Sequence, residues 1–120
     1  VIEFNNNLKE LLMEFINLTP HTICYFENGN KVKEFPFSGL VARVEEETHD
    51  CGFSNSLKVV KKTYDSVVNL PESKENTIYI VSGMVKSAIK YRLDVIAPDT
   101  GDGAVRNEKG QIIGTTQFIV

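Results

Sequence analysis

Tyr79-Ile80-Val81-Ser82-Gly83-Met84-Val85, followed by Asp94-Val95-Ile96-Ala97-Pro98, Gly103-Ala104-Val105-Arg106-Asn107 and Gly110-Gln111-Ile112-Ile113-Gly114, is the stretch on which the fold turns. Thr77–Val81 is short, β-branched and apolar, the pattern of a central strand. Ser82 is a capping residue for a helix over 83–92, with Val85, Ala88, Ile89 and Arg92 or Leu93 on one stripe and Lys86 and Lys90 on another. Asp94–Ala97 reads as strand and Pro98–Gly103 as a glycine-rich loop. Val105–Asn107 and Gln111–Ile113 flank Glu108-Lys109-Gly110 as a hairpin, and Thr115–Val120 is a last strand. A strand-to-helix turn exposes backbone N–H groups, and arginine adds a planar fork of donors. Together they suit a phosphate or another compact anion.

Working outward, Phe4, Leu8, Leu11, Leu12 and Phe15 recur at helical spacing, which predicts an amphipathic N-terminal helix over 3–15. Asn7 with Glu10 resembles a capping box that would start it later. Thr19-Pro20-His21 punctuates, and Thr22–Glu27 and Lys31–Phe37 flank the hairpin turn Asn28-Gly29-Asn30. Leu40–Val44 is read as strand, 48–55 as loop, Leu57–Lys62 and Tyr64–Leu70 as two further strands, and Pro71–Asn76 as a connector. The fold expected is α+β: a mainly antiparallel sheet with an N-terminal amphipathic helix and a second helix after the Thr77–Val81 strand. It forms one domain, with 1–15 as a helical extension and 16–120 as the body.

Hydrophobic residues make up 42% and charged residues 24% of the 120, an ordinary globular composition. The net charge of −3 argues against duplex DNA as a partner. It is uneven: residues 1–78 carry 8 bases and 12 acids, residues 79–120 carry 5 and 4, so the slightly basic part is the one with the turn motif. No apolar stretch approaches the ~20 residues of a membrane span. Acids and amides in Val1-Ile2-Glu3-Phe4-Asn5-Asn6-Asn7 do not suit a secretory leader. A cytosolic protein with Cys24 and Cys51 reduced is the expectation.

Other chemistries are weaker. Asp99-Thr100-Gly101 with Gln111-Ile112-Ile113-Gly114 invites comparison with single-lobed aspartic proteases, but the spacing and Pro98 do not fit that layout. Turn chemistry accounts for Pro98-Asp99-Thr100-Gly101-Asp102-Gly103. His21, Cys24, His49 and Cys51 are four ligands of the kind zinc takes, without the tight spacing of zinc knuckles, and Cys51 lacks an orienting third group for nucleophilic work. No metal site and no cofactor is assigned. Lys58, Lys61 and Lys62 are either a solvated strand edge or a phosphate contact. Tyr25, Phe26, Phe35 and Phe37 lie on neighbouring hairpin strands, mostly as core, with one able to stack on a base. Arg43, Arg92 and Arg106 are phosphate ligands or surface ion-pair partners, and the residues alone leave both readings open.

The motifs Ile16-Asn17-Leu18-Thr19-Pro20-His21-Thr22-Ile23, Ser38-Gly39-Leu40-Val41-Ala42-Arg43-Val44, Tyr79 to Val85, Asp94 to Pro98 and Gly103 to Asn107 span most of 16–118. In them the chain resembles the Thoeris anti-defence protein 1 family of phages and prophages. The 3–15 helix and Asn107, where an acid is common, depart from the pattern. The resemblance implies a non-enzymatic sponge in the cytoplasm of the bacterial host. Such a protein binds cyclic ADP-ribose isomers made by TIR enzymes, in some members cyclic oligonucleotides, and assembles through dimers into hexamers. For such a ligand the residues on offer are Arg106 and Arg92 for the phosphates and Ser82 and Gly83 for N–H groups. Asn107 would bond a ribose or base, Phe118 or Tyr79 would stack, and Lys58 with Lys62 would form a second nucleotide site. The alternatives are a module that inhibits a host protein through Glu45-Glu46-Glu47 and the N-terminal helix, and a hydrolase dependent on Asp99.

Overall fold

Strands, rather than helices, organise the chain in its computed structural model, which describes residues 13–120. Ten strands follow in order: β1 (Glu14–Asn17), β2 (Ile23–Glu27), β3 (Asn30–Phe35), β4 (Arg43–Ser54), β5 (Leu57–Val68), β6 (Thr77–Ile80), β7 (Val95–Pro98), β8 (Ala104–Arg106), β9 (Ile112–Thr115) and β10 (Phe118–Ile119). Among the described residues the one helix is α1 (Gly83–Ala88), six residues long. No helix there is long and apolar enough to cross a membrane.

The α+β expectation with two helices is therefore overturned in favour of a mostly β protein. Residues 3–12 of the proposed N-terminal helix lie outside the described residues. Its last two positions belong to β1, which runs parallel to β6 with Phe15 opposite Ile78 and Ile16 opposite Tyr79. A short run of Phe and Ile gains more from a strand ladder on the core than from a lone helical turn.

The second helix exists but stops at Ala88 instead of 92. Ser82 caps its start, the hydroxyl accepting from the Val85 N–H at 3.3 Å. Lys86 explains the early stop. The sequence pattern put it on a stripe apart from the apolar one, yet it is 6% exposed, and its ammonium donates to the carbonyls of Ile89 and Arg92 at 3.2 and 3.0 Å. Those carbonyls belong to the segment that follows the helix, and the buried lysine holds that segment in a turn instead of a further helical turn.

The strands form two four-stranded sheets and one two-stranded ribbon. Sheet one runs β1-β6-β7-β10 and sheet two β3-β2-β9-β8. Three pairings are parallel (β1 with β6, β6 with β7, β2 with β9), so the sheets are mixed rather than mainly antiparallel. The core sits on sheet one beneath α1: Leu18, Tyr79, Val81, Val85, Val95 and Ala97 are buried, with Val44 and Val67 packed against them from the root of the ribbon.

A polar knot ties sheet one to sheet two. Asn17 is 1% exposed. Its amide nitrogen donates to the carbonyls of His21 and Phe35 at 2.7 and 2.9 Å, and its oxygen accepts the Thr19 N–H at 2.9 Å. Asn17-Leu18-Thr19-Pro20-His21 thus has a complete structural explanation, in which every buried amide group is paired.

The β2–β3 turn is as expected, a two-residue loop with Asn28 and Gly29 at φ 50° and 80°. The expected loop at 48–55 and the expected break between Leu57–Lys62 and Tyr64–Leu70 are both overturned. These residues make one hairpin of two 12-residue strands closed by Asn55-Ser56. Its register slips between Asp50 and Phe53, adding a residue on β4 near Gly52, and that bulge masks the alternation that would have revealed the strand. The ribbon stands out from the body. The Cα radius of gyration is 17.5 Å, against the roughly 13 Å of a compact chain of about 100 residues.

Candidate binding groove

A register shift between Tyr25 and Phe26, one residue off the register set by the tight β2–β3 turn, places Ile23 opposite Phe35 and Tyr25 opposite Lys33, on one face of sheet two. Phe26, of opposite parity, fills the space over Gly114, where an added Cβ would lie 2.4 Å from its ring and 2.6 Å from the Cys24 carbonyl. Sheet one brings Phe15 from β1, Ile96 from β7 and Phe118 from β10 to the same seam. The result is an open groove of about 480 Å³ between the sheets, rimmed by Glu27, Lys33, Thr116 and Gln117.

Four rings line it in contact with one another. Phe15 and Phe35 have centroids 5.2 Å apart, Phe35 and Phe118 meet edge-on at 5.9 Å, and Tyr25 and Phe118 lie at 6.1 Å. Only Phe35 is buried; the other three are half-buried and present surface to the groove. The Lys33 ammonium lies 4.8 Å from the Phe15 centroid and 5.1 Å from that of Phe35, within cation–π range. Partial burial, with the Glu27 carboxylate beside it, pushes the Tyr25 hydroxyl up from its ordinary value. The arrangement offers flat apolar walls, one cation and one anion at the rim, and a neutral phenol. It is the chemistry of a slot for a planar ligand with a polar periphery.

The residues expected from sequence do not converge on one site. Phe118 alone is in the groove. Arg92 is committed elsewhere: it grips both oxygens of Asp94 at 3.0 and 2.7 Å and donates to the Pro71 carbonyl at 2.9 Å. That grip raises the guanidinium above its ordinary value and lowers the Asp94 carboxyl below its own. Tyr79 is 2% exposed, lies under the Arg92 guanidinium at 5.8 Å and donates its hydroxyl to the Glu72 carbonyl. This pair is a clamp on the 71–76 connector rather than a ligand site.

Asn107 closes the β8–β9 turn, its side-chain oxygen accepting the N–H groups of Lys109 and Gln111 at 3.0 Å each. Arg106 is exposed and donates to the Gly110 carbonyl at 2.6 Å in the same turn. Ser82 is occupied as the cap, and Gly83 borders a separate depression with Lys86, Ser87 and Lys90. Lys58 and Lys62 are exposed on the ribbon, Lys62 paired with Glu46 at 3.1 Å. Asp99 holds the loop before β8, taking the Gln117 amide at 2.7 Å and the Gly101 N–H at 2.8 Å, which lower its pKa. His21 and Cys24 belong to sheet two's neighbourhood, whereas His49 and Cys51 sit in the ribbon.

Phe15, Glu27, Lys33 and Gln117 were not recognised as groove residues from sequence. Phe15 falls in the helical period, and Glu27 and Lys33 fall within the strands expected at Thr22–Glu27 and Lys31–Phe37 with no role assigned to either. The Asn-Gly turn with an unshifted register would set Tyr25 opposite Val32; the bulge beside Phe26 brings Lys33 there instead, and nothing in the local sequence announces it. No family model, no curated protein and no solved structure matches the chain.

Proposed function

We propose that this chain is a non-enzymatic binding protein whose aromatic groove holds a planar, purine-bearing ligand, and that the ligand is a cyclic ADP-ribose isomer kept intact. The observation that carries the reading is the groove itself: Phe15, Tyr25, Phe35 and Phe118 face one another across the seam of two sheets, with the Lys33 ammonium at their rim. A base laid against the exposed faces of such rings gains about 1–3 kcal/mol of stacking. Lys33, whose ammonium already lies in the groove, is the nearest cation for a pyrophosphate. The resemblance to the Thoeris anti-defence protein 1 family supplies the ligand class and the setting, the cytoplasm of a bacterial host making TIR-derived signals.

The phosphate contact from Arg92, the ribose or base contact from Asn107 and the N–H contact at Ser82 form no part of this proposal, because internal hydrogen bonds occupy the side chains of Arg92 and Asn107 and Ser82 is the cap of α1. Isothermal titration of cyclic ADP-ribose isomers should show binding by the wild type. Phe118→Ala and Lys33→Ala should each weaken it about tenfold, the equivalent of 1.4 kcal/mol. Ligand released by heat denaturation should be chemically unchanged. Binding that ignores both substitutions, or ligand recovered as a cleaved product, would overturn the proposal.

A further inference from the structure

The aromatic groove has two unlike ends. Its rings touch in the order Phe15, Phe35, Phe118, Tyr25. The Lys33 ammonium stands over the first two, 4.8 and 5.1 Å from their centroids. The Glu27 carboxylate lines the other end, beside the Tyr25 hydroxyl. Among the described residues no cation forms an ion pair with Glu27. Charge along the row of rings therefore runs from positive to negative. The hydrogen-bonding groups next to Phe118 add to this polarity, because their donors are used within the fold. Thr116 gives its N–H and its hydroxyl to the Gly103 carbonyl at 2.7 and 2.9 Å. Gln117 gives its N–H to the Thr115 hydroxyl at 3.3 Å and turns its amide nitrogen to Asp99 at 2.7 Å. That last bond fixes the orientation of the amide. What remains at this end is a set of acceptors: the Glu27 oxygens, Gln117 Oε1 and the lone pairs of the Thr116 hydroxyl.

We infer that the Tyr25–Glu27 end selects the base by its exocyclic amino group, with Glu27 as the specificity-determining residue and the phosphates held at the Lys33 end. The inference deepens the reading of the groove and rests on it. Stacking does not distinguish one purine from another, since every base has a π-face for Phe118. An edge made of acceptors does distinguish them. An amino group answers the carboxylate with a charge-assisted hydrogen bond. A ring without one strips water from the same carboxylate and returns nothing, and sites built to pair a polar group reject such analogues. The two charges also fix the direction in which the ligand lies: phosphates beside Glu27 would meet a like charge and leave Lys33 unanswered.

Isothermal titration with ADP and with purine riboside diphosphate, the same nucleotide without the amino group, tests it. The wild type should prefer ADP about tenfold, the scale of one hydrogen bond to a charged group. Glu27→Ala should bind the two nucleotides alike, whereas Lys33→Ala and Phe118→Ala should weaken both and keep the preference. Glu27 is exposed, so the circular dichroism melt of its variant should match the wild type. Equal binding of the two nucleotides by the wild type overturns the inference. So does a preference that outlasts Glu27→Ala, or one that Lys33→Ala removes, which would put the base at the opposite end. Failure of both nucleotides to bind overturns it as well, while the groove reading itself is judged separately on the cyclic ADP-ribose isomers.

Discussion

The body and the ribbon are both β-structure, yet they are held by different means. In the body several turns and crossings are closed by a side chain that satisfies more than one backbone group at once. Asn17 spans two sheets, Arg92 and Asp94 lock the connector, and Thr115 sits 2.9 and 2.7 Å from the carbonyls of Asp99 and Gln117. In the ribbon the side chains are almost all exposed, and only the backbone ladder and surface pairs such as Glu46–Lys62 hold it. Surface pairs of that kind contribute at most about 1 kcal/mol. Regular hydrogen bonding alone makes an element; buried, fully paired polar groups make it rigid.

The contrast breaks most visibly at Asn17. Asn17→Ala would leave the Phe35 carbonyl and the Thr19 N–H without their interior partner, while the His21 carbonyl keeps the Thr19 hydroxyl, for a loss of about 4 kcal/mol at 1–3 kcal/mol per group. Urea unfolding should show it as a large fall in midpoint with the ribbon sequence untouched. A loss below 1 kcal/mol would mean that the knot is not what joins the sheets.

Next in size is the clamp. Arg92→Ala leaves the Asp94 carboxylate and the Pro71 carbonyl without their donors, and the expected cost is about 3 kcal/mol, typical of breaking a well-shielded pair. Acid should attack the same place. Arg92 hydrogen bonds hold Asp94 below its ordinary 3.8, and Gln117 with the Gly101 N–H does the same for Asp99. A carboxyl with a depressed folded pKa stabilises fully above its unfolded pKa and loses that contribution as pH falls through the folded value. The melting temperature should therefore drop below about pH 4, with the Arg92→Ala variant showing a shallower acid slope. Equal slopes in the two proteins would remove the clamp from the acid response.

The smallest effect belongs to the ribbon. Asn55 and Ser56 take φ 49° and 67°, and a serine in that left-handed conformation costs about 1 kcal/mol relative to glycine. Ser56→Gly should slow amide exchange along β4 and β5 while leaving β6 and β7 unchanged. Equal slowing in both regions would show that ribbon and body open together.

How much of this was readable beforehand differs along the chain for physical reasons. The Asn28-Gly29 turn, the strand at Thr77 and the cap at Ser82 each rest on local backbone preferences, and all three are in place. The ribbon was missed because its bulge at Gly52 interrupts the period-two pattern and its turn residues are weaker than Asn-Gly. The helix boundaries failed because Phe15 is taken by a strand partner far along the chain and because Lys86 is turned inward onto two carbonyls.

The groove shows the division most plainly. Local chemistry, carried by neighbours in sequence, sufficed to fold β2 back onto β3 at Asn28-Gly29, whereas a register shift beside Phe26 set Tyr25 opposite Lys33. Phe15 and Phe118 reach the same place only through the parallel pairing of β1 with β6 and the return of β10 onto β7. Likewise the amino-acid order says that arginines are few, while the fold assigns Arg92 to Asp94 and leaves Arg106 at the surface. Backbone preferences act over a few residues and can be read from the order of side chains. Which ring faces which, and which charge is already spoken for, depends on long-range strand pairing that forms only when the sheets come together.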